Sequence, residues 1–227
     1  MKKLIIAVYT MCYRILKSVN KSVRISNSKL LFIKTDIGVS NKLVIENSVI
    51  KRTSINVQGD HNEVIIKGAI GSSKIHVKGK NNTIKIDEGC GVENTVVVVN
   101  GVNCKVVIGK RTSVGSMYMV CMGTENYIVI GEECMIADRV EIWATDSHPI
   151  FDESGKICNP SKPIKIGNHV WLGKCAKVLK GVTIHDNAII GMDALIKKEI
   201  PANSLVVGSD GRIIKSNVNW NRTFIKV

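Results

Sequence analysis

The sequence predicts an all-β solenoid of triangular coils, and the first observation that predicts it is a repeat of six residues. Between residues 166 and 200, apolar side chains recur every six positions in two phases that lie four positions apart. A helix repeats about every 3.6 residues and a strand about every 2, so neither explains this period. A short strand with a sharp corner every six residues does explain it, because three such units close one coil. The two phases are Ile166, Leu172, Val178, Ile184, Ile190 and Ile196, and Val170, Ala176, Val182, Ala188, Ala194 and Ile200.

A longer repeat upstream is the second observation. The segments GDHNEVIIKGAI, GKNNTIKIDEGCGV, GVNCKVVIGKRTSV and GTENYIVIGEECMI resemble one another. Their anchor residues Ile66, Ile86, Ile108 and Ile130 lie 20, 22 and 22 positions apart, with Ile45 as an earlier member. Units that repeat at such a period bury their apolar faces only by stacking on their neighbours. The sequence therefore predicts irregular coils over residues 25–127 and regular hexapeptide coils over residues 128–208.

The composition is the third observation, and it suits stacked strands. Hydrophobic residues make up 44% of the 227 residues, but aromatic residues make up only 4%. Ile and Val therefore fill the core, and their branched side chains pack well on a pleated surface. In each hexad the first residue points inward, and the residue four places later lies near a corner where bulky groups do not fit. Ala176, Ala188 and Ala194 satisfy that limit.

The charge and the cysteines exclude several classes of protein. The formal net charge is +13, but the Lys and Arg residues are spread along the chain and aromatic residues are sparse. We therefore expect no nucleic acid partner, whereas an anionic small molecule, an acidic polysaccharide or a membrane surface fits the charge. The seven cysteines include no CxxC pair. This pattern indicates free thiols in a reducing compartment rather than a disulfide framework or a zinc ribbon.

The two ends of the chain predict closing segments. The N-terminal stretch MKKLIIAVYTMCYRILKSVNK has no small-x-small cleavage site, and its apolar part is too short to span a bilayer. We expect a short helix or strand that caps the fold over residues 1–24, and a closing tail over residues 209–227. The expected location is cytoplasmic. Contact of the basic N-terminus with the inner face of the membrane is an alternative.

A polar, proline-containing segment interrupts the repeat over residues 148–165. Long structureless loops in compact domains are usually functional, so this segment is expected to leave the solenoid as an excursion. The alternative is one degenerate coil with His148 pointing inward, because Ile142, His148 and Ile166 keep the six-residue phase. Charged side chains and prolines could not fill the interior of the prism, which favours the excursion.

At these residues the sequence resembles the hexapeptide-repeat family of left-handed parallel β-helix acyltransferases, in particular bacterial capsule and polysialic acid O-acetyltransferases. The resemblance is carried by PIKIGNHVWLGKCAKVLKGVTIHDNAIIGMDALIKKEIPANSLVVG and by WATDSHPIFD at residues 143–152. It implies acetyl-CoA as donor, a saccharide hydroxyl as acceptor, a homotrimer, and active sites in clefts between subunits. The chain departs from the family in VVGSDGRIIK, where Asp210 stands at the position of the usual proline. The resemblance therefore does not predict the detail of the CoA adenine pocket.

The resemblance makes His148 the expected general base, since a neutral imidazole can take the proton of an attacking hydroxyl. Asp146 lies two residues earlier, and on an extended segment it would share a side with His148 and orient the ring; an ordinary loop-capping role is the alternative. Ser147 should face away, which favours direct transfer over an acyl-enzyme. Trp171 should project outward from a corner and be covered by the pantetheine arm, the acceptor sugar or a neighbouring subunit.

The expected cofactor-binding residues lie on the C-terminal coils. The Gly173 amide could donate to the thioester oxygen or the pantetheine. The remaining candidates face CoA or its phosphates, with a solvated basic face as the alternative for the charged ones; the set is Trp171, Gly173, Lys180, Ala188, Lys197, Lys198 and Arg212.

The sequence argues against one rival function and leaves two others as alternatives. A γ-class carbonic anhydrase shares this β-helix but needs a closely spaced HxxxxH pair, which the five histidines do not contain, so no metal is expected. An N-acetyltransferase of an amino-sugar nucleotide and a non-enzymatic scaffold or glycan-binding module remain as alternatives. The interrupted segment around His148 and the exposed Trp171 favour the O-acetyltransferase, because a pure scaffold needs neither.

Overall fold

The computed structural model describes residues 22–225. All regular secondary structure in that range is β-strand. In chain order the strands are β1 (Val23–Ser26), β2 (Lys29–Leu31), β3 (Lys34–Ile37), β4 (Lys42–Glu46), β5 (Val49–Lys51), β6 (Ser54–Asp60), β7 (Glu63–Ile66), β8 (Ala69–Gly71), β9 (Lys74–Lys80), β10 (Thr83–Ile86), β11 (Gly91–Glu93), β12 (Thr95–Val102), β13 (Lys105–Ile108), β14 (Ser113–Val114), β15 (Met117–Thr124), β16 (Tyr127–Ile130), β17 (Met135–Ile136), β18 (Val140–Trp143), β19 (Ile164–Ile166), β20 (Trp171–Leu172), β21 (Lys177–Leu179), β22 (Thr183–Ile184), β23 (Ile189–Ile190), β24 (Leu195–Ile196), β25 (Ser204–Val207) and β26 (Arg212–Ser216).

The strands form three parallel sheets that run along a β-helix. Each coil passes through sheet A, then sheet B, then sheet C, so the chain turns at an A–B corner, a B–C corner and a C–A corner. Sheet A stacks eight strands from β1 to β22, sheet B stacks ten from β2 to β26, and sheet C stacks eight from β3 to β24. The predicted all-β solenoid of triangular coils is confirmed.

The strand register confirms both repeats. In sheet A, Ile66 pairs with Ile86, Ile86 with Ile108, and Ile108 with Ile130. The longer upstream repeat is therefore one full coil. Ile166 pairs with Ile184, so three hexads make one coil in the C-terminal part.

The core is a continuous aliphatic column. Every residue of the two predicted hexad phases is at most 1% exposed, and the corner residues Ala176, Ala188 and Ala194 are fully buried. Burying one Val, Leu or Ile side chain stabilises a fold by roughly 1.5–3 kcal/mol. Each coil contributes several such residues, which explains how the chain folds with few aromatic side chains.

The upstream coils fill their C–A corner with a different device, a column of asparagines. The Asn62 side-chain amide donates to Asn41 Oδ1 at 2.9 Å, and the Asn82 amide donates to Asn62 Oδ1 at 2.8 Å. Asn82 also donates to the Gly101 carbonyl at 2.8 Å. These three asparagine side chains are buried, so each coil is tied to the next by hydrogen bonds that water does not reach.

Stacked glycines lie beside this asparagine column. Gly59, Gly79 and Gly123 have φ values of 91°, 114° and 108°, a region that residues with a Cβ rarely adopt. A Cβ on Gly79 would also lie 2.0 Å from the Gly101 carbonyl oxygen of the next coil. Glycine is therefore required here by both the backbone angle and the close approach of the next coil.

One coil carries the predicted excursion. Ile142 pairs with Val178, and Ile130 pairs with Ile166, so in both pairs the chain advances twice as far as it does between Ile166 and Ile184. The connection runs over residues 144–163 between β18 and β19. It begins four residues earlier and ends two residues earlier than expected. The insertion is as long as three hexads, which explains why His148 keeps the hexad phase. His148 is exposed, so the alternative of a degenerate coil is wrong.

The C-terminal tail covers the C-terminal end of the solenoid and then returns along the A–B corner. A turn over residues 208–211 leads into β26, which pairs antiparallel with β25. Residues 217–223, named the C-terminal strap here, then follow the A–B corner back down the solenoid. Of the expected N-terminal cap, residues 1–21 lie outside the described residues, and β1 begins at Val23. Between residues 22 and 225 there is no helix with the length and hydrophobicity needed to cross a bilayer.

Candidate active site

The C–A corner gathers the excursion and three of the predicted basic residues. The excursion leaves after β18, Lys180 follows β21, and Lys197 and Lys198 follow β24. β18 pairs with β21 and β21 with β24, so these corners lie above one another at the strand spacing of about 4.8 Å. The parallel register therefore brings residues far apart in sequence to one edge of the prism.

The base of the excursion is held by Asp146, Lys180 and Asn159. Lys180 Nζ donates to Asp146 Oδ2 and, at 3.0 Å, to the Asn159 carbonyl. The Asn159 side-chain amide donates to Asp146 Oδ2 at 2.9 Å and to the His148 carbonyl at 2.9 Å. The hydrogen bond from Lys180, with that from Asn159, lowers the pKa of the Asp146 carboxyl. These contacts fix the two ends of the loop that carries His148.

His148 itself is exposed, and its ring has no hydrogen-bond partner among residues 22–225. The expected orientation of the ring by Asp146 is not found, because the carboxylate faces Lys180 instead. Ser147, between the two residues, has a φ of 65°, so the segment turns and the two side chains do not share one side. Only the His148 backbone N–H donates to the Asp146 carbonyl, at 2.8 Å. The imidazole is therefore open to a substrate.

Trp171 projects outward from β20, as expected, while the adjacent Leu172 is in the core. Its side chain is 36% exposed. Part of its cover comes from Trp220 of the C-terminal strap, whose ring centroid lies 5.9 Å away. The sequence did not predict this contact, because the expected covers were a ligand or a neighbouring subunit.

Two of the expected cofactor residues have backbone groups that are already bonded within the coils. The Gly173 amide already donates to the Ile190 carbonyl at 2.7 Å, so it cannot serve as an oxyanion donor without breaking the coil. Ala188 is fully buried in the core, and its carbonyl accepts from the Trp171 amide at 2.9 Å. A Cβ on Gly173 would lie 2.7 Å from the Ile190 carbonyl oxygen, and Ala188 occupies an inward hexad position, so both residues have a structural role in the coils.

The other basic candidates remain open to an anion. Lys197, Lys198 and Arg212 are exposed, and none of the three forms an ion pair within residues 22–225. The turn that contains Asp210 packs near Lys198, because a Cβ on Gly211 would lie 3.9 Å from Lys198 Cε. Lys198 and the start of β26 are therefore neighbours at the C-terminal end. Lys180 differs, since it is committed to Asp146.

Sequence reasoning missed an aromatic groove on the outer face of sheet C. Tyr118 and Trp143 stack with ring centroids 5.5 Å apart and an interplanar angle of 30°. Trp143 Nε1 donates to Glu141 at 2.9 Å. The groove has a volume of about 570 Å³, and Asn94, Ser116 and Arg139 also line it. The longer repeat in the sequence could have revealed the groove, because the strand register places Tyr118 beside Glu141, which accepts the hydrogen bond from Trp143.

The histidines of the C-terminal coils have local partners. His185 Nε2 faces Glu199 Oε1 at 2.6 Å, and His169 Nδ1 faces Asn187 Oδ1 at 3.0 Å. Across residues 22–225 no group of three or more His, Cys, Asp or Glu side chains could hold a metal ion.

The parallel β-helix with an exposed histidine on a corner loop fits the class of β-helix acyltransferases, and comparison with known proteins gives the family. The model "Bacterial transferase hexapeptide (six repeats)" matches residues 163–198. A polysialic acid O-acetyltransferase of Neisseria meningitidis is 37% identical over 149 residues, which are 63% of this chain and 68% of that protein. The chain therefore belongs to the hexapeptide-repeat acetyltransferase family, and its β-helix is left-handed like those of its relatives.

Further comparisons agree with this assignment. A polysialic acid O-acetyltransferase of Escherichia coli O1:K1 is 33% identical over 141 residues, which are 62% of this chain and 45% of that protein. This chain thus spans less than half of that relative's length. The solved structure of the polysialic acid-specific acetyltransferase NeuO has a TM-score of 0.67 and 29% identity, covering 90% of this chain and 91% of that one.

Proposed function

We propose that this chain transfers an acetyl group from acetyl-CoA to a hydroxyl of a cell-surface saccharide, with His148 as the general base. The observation that carries the proposal is the corner loop, whose ends are fixed by Asp146, Lys180 and Asn159 while the His148 ring is left open. The relatives named as polysialic acid O-acetyltransferases support this reaction and an acidic capsular sugar as the acceptor class.

His148 performs direct transfer in this proposal. The neutral imidazole takes the proton of the sugar hydroxyl as that oxygen attacks the thioester carbonyl. The carbon–sulfur bond then breaks, and the imidazolium gives its proton to the departing CoA thiolate. No acyl-enzyme is required, which agrees with the position of Ser147 in a turn rather than facing a base.

Acetyl-CoA binding is assigned to the C-terminal coils. Lys197, Lys198 and Arg212 are exposed cations without ion-pair partners in the described part of the chain, so they are suited to the CoA phosphates. Trp171 offers an aromatic surface to the pantetheine arm or the acetyl group. Lys180 is assigned to anchoring the loop instead, since a phosphate would have to displace Asp146.

A homotrimer completes the site in this proposal. His148 follows a strand of sheet C, whereas Trp171 begins a strand of sheet B, so the two side chains leave one chain at different corners. Within residues 22–225 no hydrogen bond or ring contact joins them. A second copy that presents its own corner would bring the two residues together. The expected location of this assembly is the cytoplasm.

The acceptor is assigned to the groove of Tyr118 and Trp143. Stacked aromatic rings offer an apolar surface that suits the C–H face of a pyranose, and Glu141, Ser116 and Asn94 offer hydrogen bonds to hydroxyls. Arg139 suits the carboxylate of an acidic sugar, because a guanidinium binds a carboxylate in a fork. Trp143 is also the last residue before the excursion, so the groove leads directly to the loop that carries His148.

Replacement of His148 by Ala tests the proposal. We expect the variant to fold and assemble like the parent while turnover falls by roughly two to four orders of magnitude, the usual contribution of a general base. The assay measures CoA release with a panel of capsular and lipopolysaccharide sugars and one amino-sugar nucleotide, and His185→Ala is the matched control. Turnover within threefold of the parent would remove His148 from the mechanism. Preference for the amine acceptor would favour the N-acetyltransferase, and no CoA release with any acceptor would favour the scaffold.

A further inference from the structure

The C-terminal strap follows a column of corner residues that have the same backbone conformation. Asn203, His169 and Arg111 have φ values of 55°, 52° and 56° and belong to the A–B corners of different coils. The Val218 amide donates to the Asn203 carbonyl at 3.0 Å. Farther along the strap, Arg222 Nη2 donates to the Cys134 carbonyl at 2.8 Å. The strap thus crosses several coils and is pinned at both ends.

Trp220 lies in the middle of the strap and is the most buried residue in it. Its Nε1–H donates to the His169 carbonyl at 2.9 Å. Its ring stacks on the His169 imidazole with a centroid distance of 4.2 Å and an angle of 5°. The guanidinium of Arg222 lies 5.9 Å from the ring centroid, and the indole is only 8% exposed. The His169 ring is itself fixed by its contact with Asn187.

Trp220 also contacts Trp171. The two indoles meet at a centroid distance of 5.9 Å with an angle of 48°, and this distance lies within the range of about 4.5–7 Å that is typical of favourable aromatic pairs. Trp220 is almost wholly enclosed, but Trp171 keeps 36% of its surface exposed. One side of Trp171 is therefore supported by a fixed ring while the other side faces solvent. Among residues 22–225, no other aromatic ring contacts Trp171.

We infer that Trp220 is a positioning residue that presets the Trp171 indole as a wall of the acetyl-CoA site. The inference rests on the proposed function, because Trp171 is assigned to the donor there. A side chain held before the ligand arrives loses less conformational freedom on binding, which strengthens binding. The strap thereby links the end of the chain to the donor pocket, although Trp220 and Trp171 are 49 positions apart in the sequence.

The test compares Trp220→Ala, Trp220→Phe and Phe224→Ala. Phe224 is the matched control, since it is an aromatic residue of the same tail that is 93% exposed. We expect Trp220→Ala to raise the KM for acetyl-CoA by about tenfold, equivalent to about 1.4 kcal/mol, with kcat within about twofold of the parent. Trp220→Phe keeps a ring against His169 and Trp171 and should restore KM to within about threefold. Phe224→Ala should match the parent.

A double-mutant cycle separates positioning from general stabilisation. In a Trp171→Ala background, Trp220→Ala should change KM by less than about twofold, because nothing remains to be positioned. An equal change in KM in both backgrounds, or an unchanged KM in the single variant, would overturn the inference. If Trp220→Ala does not fold, Arg222→Ala loosens the same strap from its far end and should raise KM in the same direction.

Two further outcomes keep this inference distinct from the proposed function. A parent chain without acetyl-CoA turnover overturns the proposed function and the kinetic part of the inference together, whereas an active parent with an unaffected Trp220→Ala variant overturns the inference alone. The geometry has its own readout in the circular dichroism of the coupled indole pair, which either Trp171→Phe or Trp220→Phe should abolish. A signal that survives both substitutions would show that the two rings are not paired in solution.

Discussion

The coils before the excursion and the coils after it fill their corners in two ways. Upstream, each coil is longer than three hexads, and its corners contain buried asparagines and glycines that bond to the next coil. Downstream, a coil is three hexads long, and its A–B and B–C corners contain Ala188 and Ala194, whose buried side chains fill space. The difference teaches that a tight corner needs no buried polar side chain, whereas a longer corner encloses backbone groups that need side-chain partners.

The two regions also divide the work of the site. The upstream coils present the broad outer face with Tyr118 and Trp143, where longer strands such as β12 and β15 give a wide surface. The downstream coils are built mostly from very short strands, so their side chains project mainly from corners, as Trp171 and Lys180 do. A wide face suits an extended saccharide, and closely spaced corners suit a narrow donor such as CoA.

The largest expected effect is in the upstream glycine column. Gly79→Ala should destabilise the fold by more than about 4 kcal/mol or prevent folding, because it combines a φ of 114° with a 2.0 Å approach to Gly101. Gly155→Ala is the control, since Gly155 has a φ of 78° but no atom within 4 Å of an added Cβ; it should cost about 1 kcal/mol. Denaturant unfolding measures both. Similar losses for the two variants would mean that the close approach between coils has no cost.

The next effect is in the asparagine column. Asn82→Ala removes the donors to Asn62 and to the Gly101 carbonyl, and the acceptor of the Cys104 amide. We expect a loss of about 3 kcal/mol, because buried polar groups on both neighbouring coils lose their partners. Asn100→Ala, at an exposed position of β12, should change the unfolding free energy by less than about 0.5 kcal/mol. A neutral Asn82→Ala would show that water enters this corner.

A smaller effect is expected downstream, where the corner depends on volume. Ala188→Val adds two methyl groups at a fully buried position and should cost about 2 kcal/mol through overpacking. Ala202→Val, at an exposed position of the next turn, is the control and should be within about 0.5 kcal/mol of the parent. Thermal unfolding of the two variants measures the difference in stability. Equal melting temperatures would contradict the description of this corner as tightly filled.

The smallest expected effect is at the boundary between the two regions, where Asp146 anchors the excursion. Its pKa is lowered by the hydrogen bond from Lys180, so the anchoring is complete above the ordinary Asp pKa of about 3.9 and is lost as the pH falls through the lowered pKa. Asp146 is 43% exposed, so the gain is below about 1 kcal/mol. The protection of residues 144–163 against hydrogen exchange, measured relative to the intrinsic exchange rate at each pH, should therefore fall at acid pH.

Asp146→Asn provides the comparison for that acid effect. In this variant the exchange of residues 144–163 should be faster at neutral pH and should lose most of its added dependence on acid. Glu63→Gln breaks the surface pair with Lys42, which joins Nζ to Oε1 at 2.6 Å on sheet A, and should leave the loop unchanged. Parent-like exchange in Asp146→Asn would show that Asn159 alone holds the loop.

The fold was predictable because its signal is periodic. The inward positions of both hexad phases and the coil register of Ile66, Ile86 and Ile108 follow from spacing alone. The bounds of the excursion did not follow, because an insertion as long as three hexads preserves the phase of six. The expected contact of Asp146 with His148, one of two roles open to this carboxylate, requires an extended segment, and the turn at Ser147 has no periodic signal in the sequence.

The parts of the site that sequence reasoning missed depend on contacts across coils. Trp220 meets His169 across 51 positions, through a tail that has no repeat. Lys180 reaches Asp146 across 34 positions, since one excursion and one coil separate them. Tyr118 and Trp143 could have been paired by aligning the longer repeats further, because their strands are register partners. Spacing thus predicts which side chains face outward, and register decides which of them meet.

The antiparallel strand β26 determines how the molecule behaves towards other copies of itself at its C-terminal end. A β-helix made only of parallel strands would present an open edge of unpaired backbone groups, which can template fibre growth. Here β26 covers the last strand of sheet B with reversed polarity and carries Arg212 and Lys215, while sheets A and C end in the very short strands β22 and β24. A further coil has no continuous parallel edge on which to stack. This end of the solenoid is therefore protected against end-to-end aggregation.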